Sequence, residues 1–164
     1  MASAVSEATT SAAAPLRPVR LGKLDVVLEQ RADGVIHIRA AQPLGKYHRK
    51  LSDALEHWAR TAPERAFLAQ RDSQGNWRKL SYAQVLSDVR RIGAALLRRG
   101  LSPDKPIVVL SGNDIEHALL GLAATYVGIP YAPISPPYSL MSSDFGKLRM
   151  IIELLTPGLV FVND

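Results

Sequence analysis

The chain of 164 residues has no cysteine. That absence excludes structural disulfides, thiolate nucleophiles, iron–sulfur clusters and cysteine-ligated zinc. Histidine is sparse, and His37, His48, His57 and His117 show no HxxxH or HExxH spacing, so no metal ligand set is readable. Aromatic residues make up only 6%, and no RNP-like aromatic motif or zinc-finger spacing accompanies them. The chain also lacks a GxSxG elbow, a GxxxxGK[ST] phosphate loop and the glycine pattern of a dinucleotide fingerprint. Long apolar runs are missing too. From His117 to Ser143 no residue carries a formal charge, but Gly128, Pro130, Pro133, Pro136 and Pro137 interrupt that stretch. Each uninterrupted piece is too short to span a bilayer.

What is present is ordinary for a folded domain. Hydrophobic residues make up 47% and charged residues 21%, and the length suffices for one core. The net charge of +5 is spread along the chain, with Arg17, Arg20 and Lys23 against Glu7 in the first 23 residues. The pairs Arg90–Arg91 and Arg98–Arg99 fall on an amphipathic helix, where a solvated face accounts for them without nucleic acid. Residues 1–14 are small and polar, with no h-region of a signal peptide. The expectation is a flexible tail over residues 1–22, then one α/β unit over 23–164, in a cytoplasmic protein with neither membrane nor nucleic-acid partners.

Two extended runs, Leu24–Gln30 and Val35–Ala40, flank a turn whose Asp33-Gly34 pair signals a hairpin. A helix starts near Ser52, with Leu51, Leu55, Trp58 and Ala62 as its inward stripe and Pro63 as its stop. Ala66–Arg71 and Trp77–Leu80 pair around a polar loop. Ser81 and Gln84 form a capping box for a long helix striped by Tyr82, Val85, Val89, Ile92 and Leu96 and ended by Gly100. Pro106–Ser111 is an apolar run suited to a strand covered on both faces. Ser111-Gly112-Asn113-Asp114 leads into a helix over Ile115–Val127. Tyr131–Ser135 reads as a second short buried strand, and a helix capped by Ser142 or Ser143 carries Phe145, Leu148, Ile151, Ile152 and Leu155. Leu159–Val162 is a third strand. This alternation predicts a mostly parallel, doubly wound sheet with flanking helices. The final strand has no helix after it, so its far face is expected to be bare and the chain to be an incomplete portion of a domain that self-associates in isolation.

In an open α/β sheet, ligands gather beyond the carboxyl ends of the strands. Two segments qualify. Ser111 and Asn113 lie where backbone amides at a helix start could meet an anion, although capping by Asn113 or Asp114 uses the same residues. The Pro-rich stretch Ser135–Asp144, with Tyr138, is the second. The carboxylates Asp53, Glu56, Asp114 and Glu116 suit first-turn helix charges. These residues supply cofactor-binding candidates, Ser111, Asn113 and Tyr138, but no catalytic set and no metal site.

Three segments together resemble a known family. Leu80-Ser81-Tyr82 with Gln84 resembles the first core motif of adenylate-forming (AMP-binding) enzymes. Ala124–Ile134, where a helix ends at Gly128 and a strand ends near Pro133, resembles the second, and Val109–Asn113 with Glu116 resembles the stretch between them. Within that superfamily, PLGKYHRKLSDALEHWARTAPERAFLAQRD (43–72), SGNDIEHALLGLAA (111–124) and YAPISPPYSLMSSDFGKLR (131–149) are most similar to feruloyl-CoA synthases. The resemblance implies the N-terminal part of an ATP-dependent acyl-CoA ligase. That enzyme would adenylate a carboxylic acid such as ferulate or another hydroxycinnamate and pass the acyl group to CoA, with Mg2+ on the phosphates. The family's lysine-bearing phosphate loop and its adenine and ribose motifs are absent here, so no catalytic residue is carried over. The chain alone is expected to be inactive and to bind none of these cofactors tightly. The competing expectation is a free-standing, non-catalytic α/β binding or assembly module.

Overall fold

The computed structural model describes residues 25–163, and the expected tail of residues 1–22 lies outside them. The chain divides into two compact units, Met1–Lys46 and Tyr47–Asp164. Within the first, β1 (Val26–Gln30) and β2 (Ile36–Ala40) pair antiparallel from Val26 opposite Ala40 to Gln30 opposite Ile36. The turn closes as expected. Gly34 sits at φ +84° and its N–H donates to the Arg31 carbonyl at 3.0 Å, while Asp33 Oδ1 accepts from the Val35 N–H at 3.1 Å.

The second unit runs α1 (Ser52–Thr61), β3 (Ala66–Arg71), β4 (Trp77–Ser81), α2 (Tyr82–Arg98), β5 (Ile107–Leu110), α3 (Ile115–Val127), β6 (Tyr131–Pro133), α4 (Pro137–Leu140), α5 (Gly146–Leu155) and β7 (Leu159–Val162). β3 and β4 form a hairpin with a bulge between Ala66 and Leu68. Its turn is built by Asp72, whose Oδ1 accepts from the N–H groups of Gln74 and Asn76. Those donors, the Asn76 amide foremost, hold the Asp72 carboxyl below its usual range. The parallel sheet has strand order β6-β5-β7, so β5 is flanked on both sides. The architecture is the expected α/β arrangement.

Burial follows from that order. Ile107, Val108 and Val109 of the central strand are fully enclosed, as a continuous apolar run requires. Val85, Val89 and Leu96 of α2 and Leu119, Leu120, Ala123 and Ala124 of α3 complete the core with Leu55 of α1. α2 starts on the full capping box, Ser81 Oγ accepting from the Gln84 N–H and Gln84 Oε1 accepting from the Ser81 N–H at 2.8 Å. Ser81→Ala is therefore expected to cost about 1 kcal/mol in a urea titration. An unchanged midpoint would mean that the cap contributes nothing.

Several local expectations are corrected. Trp58 is not core but 40% exposed. α1 turns Ser52 and Leu55 inward, and the indole lies on the flank, 6.1 Å from the Tyr82 ring with the Arg65 guanidinium 5.9 Å away. β6 ends at Pro133 and leaves Tyr131 exposed, because it is an edge strand bonded to β5 alone. β7 alternates: Leu159 and Phe161 pack on the core cluster, whereas Val160 and Val162 face outward, as expected for the bare side of a last strand. The serine-capped helix begins later than predicted. Ser142 Oγ accepts the Phe145 N–H and Asp144 Oδ1 the Gly146 N–H, so the serine caps the turn before α5. The half-buried stripe Leu148, Ile151, Ile152 and Leu155 keeps its predicted phase. Among the described residues, no helix is long and apolar enough to cross a membrane.

Candidate functional site

The loop after β5 carries Ser111, Gly112, Asn113 and Asp114 to the first turn of α3. Strand β6 ends alongside and continues into Ile134, Ser135 and Pro136. Ser111, Gly112 and Asn113, with His117 and residues 133–136, line a recess of about 340 Å³ at the carboxyl ends of the two strands. Ser111 is only 6% exposed. Its Oγ lies 3.1 Å from His117 Nδ1 and donates to the Gly112 carbonyl at 3.2 Å, and the same ring nitrogen lies 3.0 Å from that carbonyl. The serine and histidine therefore share one acceptor, the Gly112 carbonyl.

The helix start at this loop is already occupied. Asp114, not Asn113, is the cap: its Oδ1 accepts from the His117 N–H at 2.6 Å, and its Oδ2 accepts from Asn163 Nδ2 at 3.0 Å. The Ile115 N–H donates to Gln70 Oε1 at 3.0 Å, tying α3 to β3. An anion brought here would face the Asp114 carboxylate and would have to compete for donors already in use. Among the described residues, no lysine or arginine lines the recess. Among the described residues, no group of three or more histidine, aspartate or glutamate side chains is placed to hold a metal ion. The residues present thus do not fit a triphosphate with its Mg2+.

The predicted candidates separate. Ser111 and Asn113 line the strand-end recess, whereas Tyr138 lies outside it on the single turn α4, with Lys147 Nζ 5.4 Å from its ring centroid. His117 joins the recess without having been predicted. The only available signal was its position six residues after Ser111, which carries no motif.

A second polar cluster clamps three helices. Tyr126 of α3 donates its hydroxyl to Glu56 Oε1 of α1 at 2.6 Å and accepts from Arg90 Nε of α2 at 3.1 Å. Arg90 also reaches Glu56 at 3.8 Å. The Tyr126 hydroxyl, aided by Lys50 and Arg90, holds the Glu56 carboxyl below its usual value. A carboxyl lowered by folding contributes stability that is present above its unfolded pKa and is lost as pH falls through the folded one. Tyr126→Phe should raise the midpoint of the Glu56 carboxyl carbon resonance in an NMR titration, because the largest of the groups that lower it is lost. An unmoved midpoint would show that the phenol does not hold the carboxylate.

A family model described as AMP-binding enzyme matches residues 55–164. The chain belongs to the AMP-binding enzyme family. Among curated proteins, the hybrid PKS-NRPS synthetase LUC5 of a Fusarium species is 30% identical over 114 residues, which is 70% of this chain and 3% of that one. Among solved structures, the fatty acid AMP ligase from Legionella pneumophila superposes with a TM-score of 0.61 at 20% identity, covering 69% of this chain and 19% of that one. The McyG A-PCP structure complexed with phenylalanyl-adenylate gives a TM-score of 0.61 at 20% identity, over 74% of this chain and 22% of that one. These structures share the fold, and this AMP-binding chain corresponds to its N-terminal part. It spans a small fraction of the length of each relative.

Proposed function

We propose that residues 23–164 form the N-terminal portion of the AMP-binding domain of an ATP-dependent acid-activating enzyme, with residues 1–22 as a tail. In the whole enzyme, a substrate carboxylate attacks the α-phosphorus of ATP, forming an acyl-adenylate and releasing pyrophosphate. The thiol of CoA then attacks the acyl carbon, forming a thioester, and AMP leaves. The observation that carries this reading is the family match over residues 55–164. Mg2+ would accompany ATP, but the described residues offer no cluster for it, and no step of this reading runs through the ion.

The proposed acid is ferulate or another hydroxycinnamate, on the similarity of residues 43–72, 111–124 and 131–149 to feruloyl-CoA synthases. A cytoplasmic location belongs to the same reading. A second reading, favoured by the synthetase among the relatives, has a carrier-protein thiol accept the acyl group in place of CoA.

The test offers ferulate, a medium-chain fatty acid and benzoate, each with ATP and CoA, to the polypeptide read through to its natural stop codon. Mass spectrometry then identifies the thioester. Feruloyl-CoA is the expected product. Adenylate without CoA thioester points to the carrier-protein reading, and thioester from the fatty acid alone overturns the hydroxycinnamate assignment. The 164-residue chain by itself is expected to give no acid-dependent exchange of pyrophosphate into ATP, because donors aimed at the developing charge are not on it. Exchange above an enzyme-free control would contradict that expectation.

A further inference from the structure

We propose that a recess between α1, β3, α3 and β6 binds a small neutral molecule, an aromatic or alkyl body bearing one hydroxyl. The site shares no residue with the strand-end recess and does not depend on the acid-activating reading. Its volume is about 320 Å³, and its apolar lining includes Leu55, Phe67, Leu68 and Leu122. A dry cavity of about 150 Å³ accepts benzene, so this one takes a ring with a short alkyl chain.

Three observations define the ligand. Ser52, which lines the recess, is only 6% exposed, and its Oγ has no hydrogen-bond partner among the described residues. A buried hydroxyl left unpaired is costly, and a ligand oxygen reached by rotation about the single χ of the serine would satisfy it. Among the described residues, no lysine, arginine, histidine or carboxylate lines the recess. A carboxylate ligand would therefore be desolvated without a counter-charge, which selects a neutral phenol or alcohol over an acid. Finally, the Tyr131 ring lies against α3 at Gly121, where a Cβ would come within 2.9 Å of it. The missing side chain lets the ring form one wall.

The test is an NMR titration of the 164-residue chain with 4-propylphenol, propylbenzene and ferulate. The expected result is saturable shifts at Leu55, Phe67 and Leu122 with the first two, the phenol binding about fivefold more tightly, as one net hydrogen bond allows. In Ser52→Ala the preference should collapse to about one-fold, with propylbenzene affinity kept, when the lost bond is the whole difference. Gly121→Ala, which displaces Tyr131, should weaken both ligands. Should Ser52→Ala fail to fold, the wild-type chain decides alone, because the Ser52 amide must shift more with the phenol than with propylbenzene. No saturable shift at the recess, an undiminished preference in Ser52→Ala, or ferulate binding as tightly as the phenol would overturn the proposal.

Discussion

Ile107→Ala is expected to lower the unfolding free energy by about 3 kcal/mol, whereas Val162→Ala should change it by less than about 0.5 kcal/mol. Both are apolar residues on strands of the same parallel sheet, so hydropathy does not separate them. Ile107 is completely enclosed on the central strand, in register with Tyr131 on one side and Leu159 on the other. Truncating it removes transfer free energy and leaves a cavity that neighbours held by two ladders cannot easily fill. Val162 is 64% exposed and leaves no cavity. Urea titrations of the two variants, compared at constant slope, check this. Equal losses would mean that β5 is not the enclosed centre of the sheet.

Gly93→Ala is the second substitution expected to have a large effect, and here the intrinsic preference and the packing disagree. Within a helix, alanine is better than glycine by roughly 0.5–1 kcal/mol. At this position, however, a Cβ would stand 2.7 Å from Val127 Cγ1 and 3.6 Å from the Ala123 carbonyl oxygen. Valine in a helix has essentially one χ1 rotamer and cannot swing aside. Helices α2 and α3 must then separate, at a cost of about 1–3 kcal/mol, which outweighs the propensity gain. Combining Gly93→Ala with Val127→Ala removes the clash and should recover most of the loss, a coupling readable from a double-mutant cycle. A single Gly93→Ala variant more stable than the parent would refute the close approach.

The sequence was most legible where local chemistry decides structure. Ser81 with Gln84, Asp33-Gly34 and the Val85–Leu96 stripe each fix a cap, a turn or a face within a few residues, and all three appear as expected. Strand position was less legible. Tyr131-Ala132-Pro133 and Leu159–Val162 look as apolar as Ile107–Leu110, and only the order β6-β5-β7 makes the first two edges. Trp58 misled for a related reason. Its spacing from Leu55 suits an inward stripe, but α1 is a short helix with one narrow contact face, and the indole instead lies beside Tyr82. The late start of α5 depends on Phe145 and its φ of +53°, a conformation that no propensity favours for phenylalanine.

The candidate site was legible in outline only. The rule that ligands gather at carboxyl strand ends led to Ser111 and Asn113. It could not show that Asp114, Gln70 and Asn163 already occupy the helix start, since Gln70 and Asn163 arrive from β3 and from beyond β7. His117 escaped notice because its link to Ser111 is a matter of one helical turn and a shared carbonyl. The orphan hydroxyl of Ser52 was not readable at all, because a serine at a helix start ordinarily reads as a solvated or capping residue.

Acid activation is measured most directly as acid-dependent exchange of labelled pyrophosphate into ATP by the polypeptide that carries this sequence to its natural stop codon. The exchange is expected to require a carboxylic acid, to be strongest with a hydroxycinnamate, and to be lost when the protein is cut after residue 164. No exchange with any acid tested, from a protein shown to be folded, would contradict that.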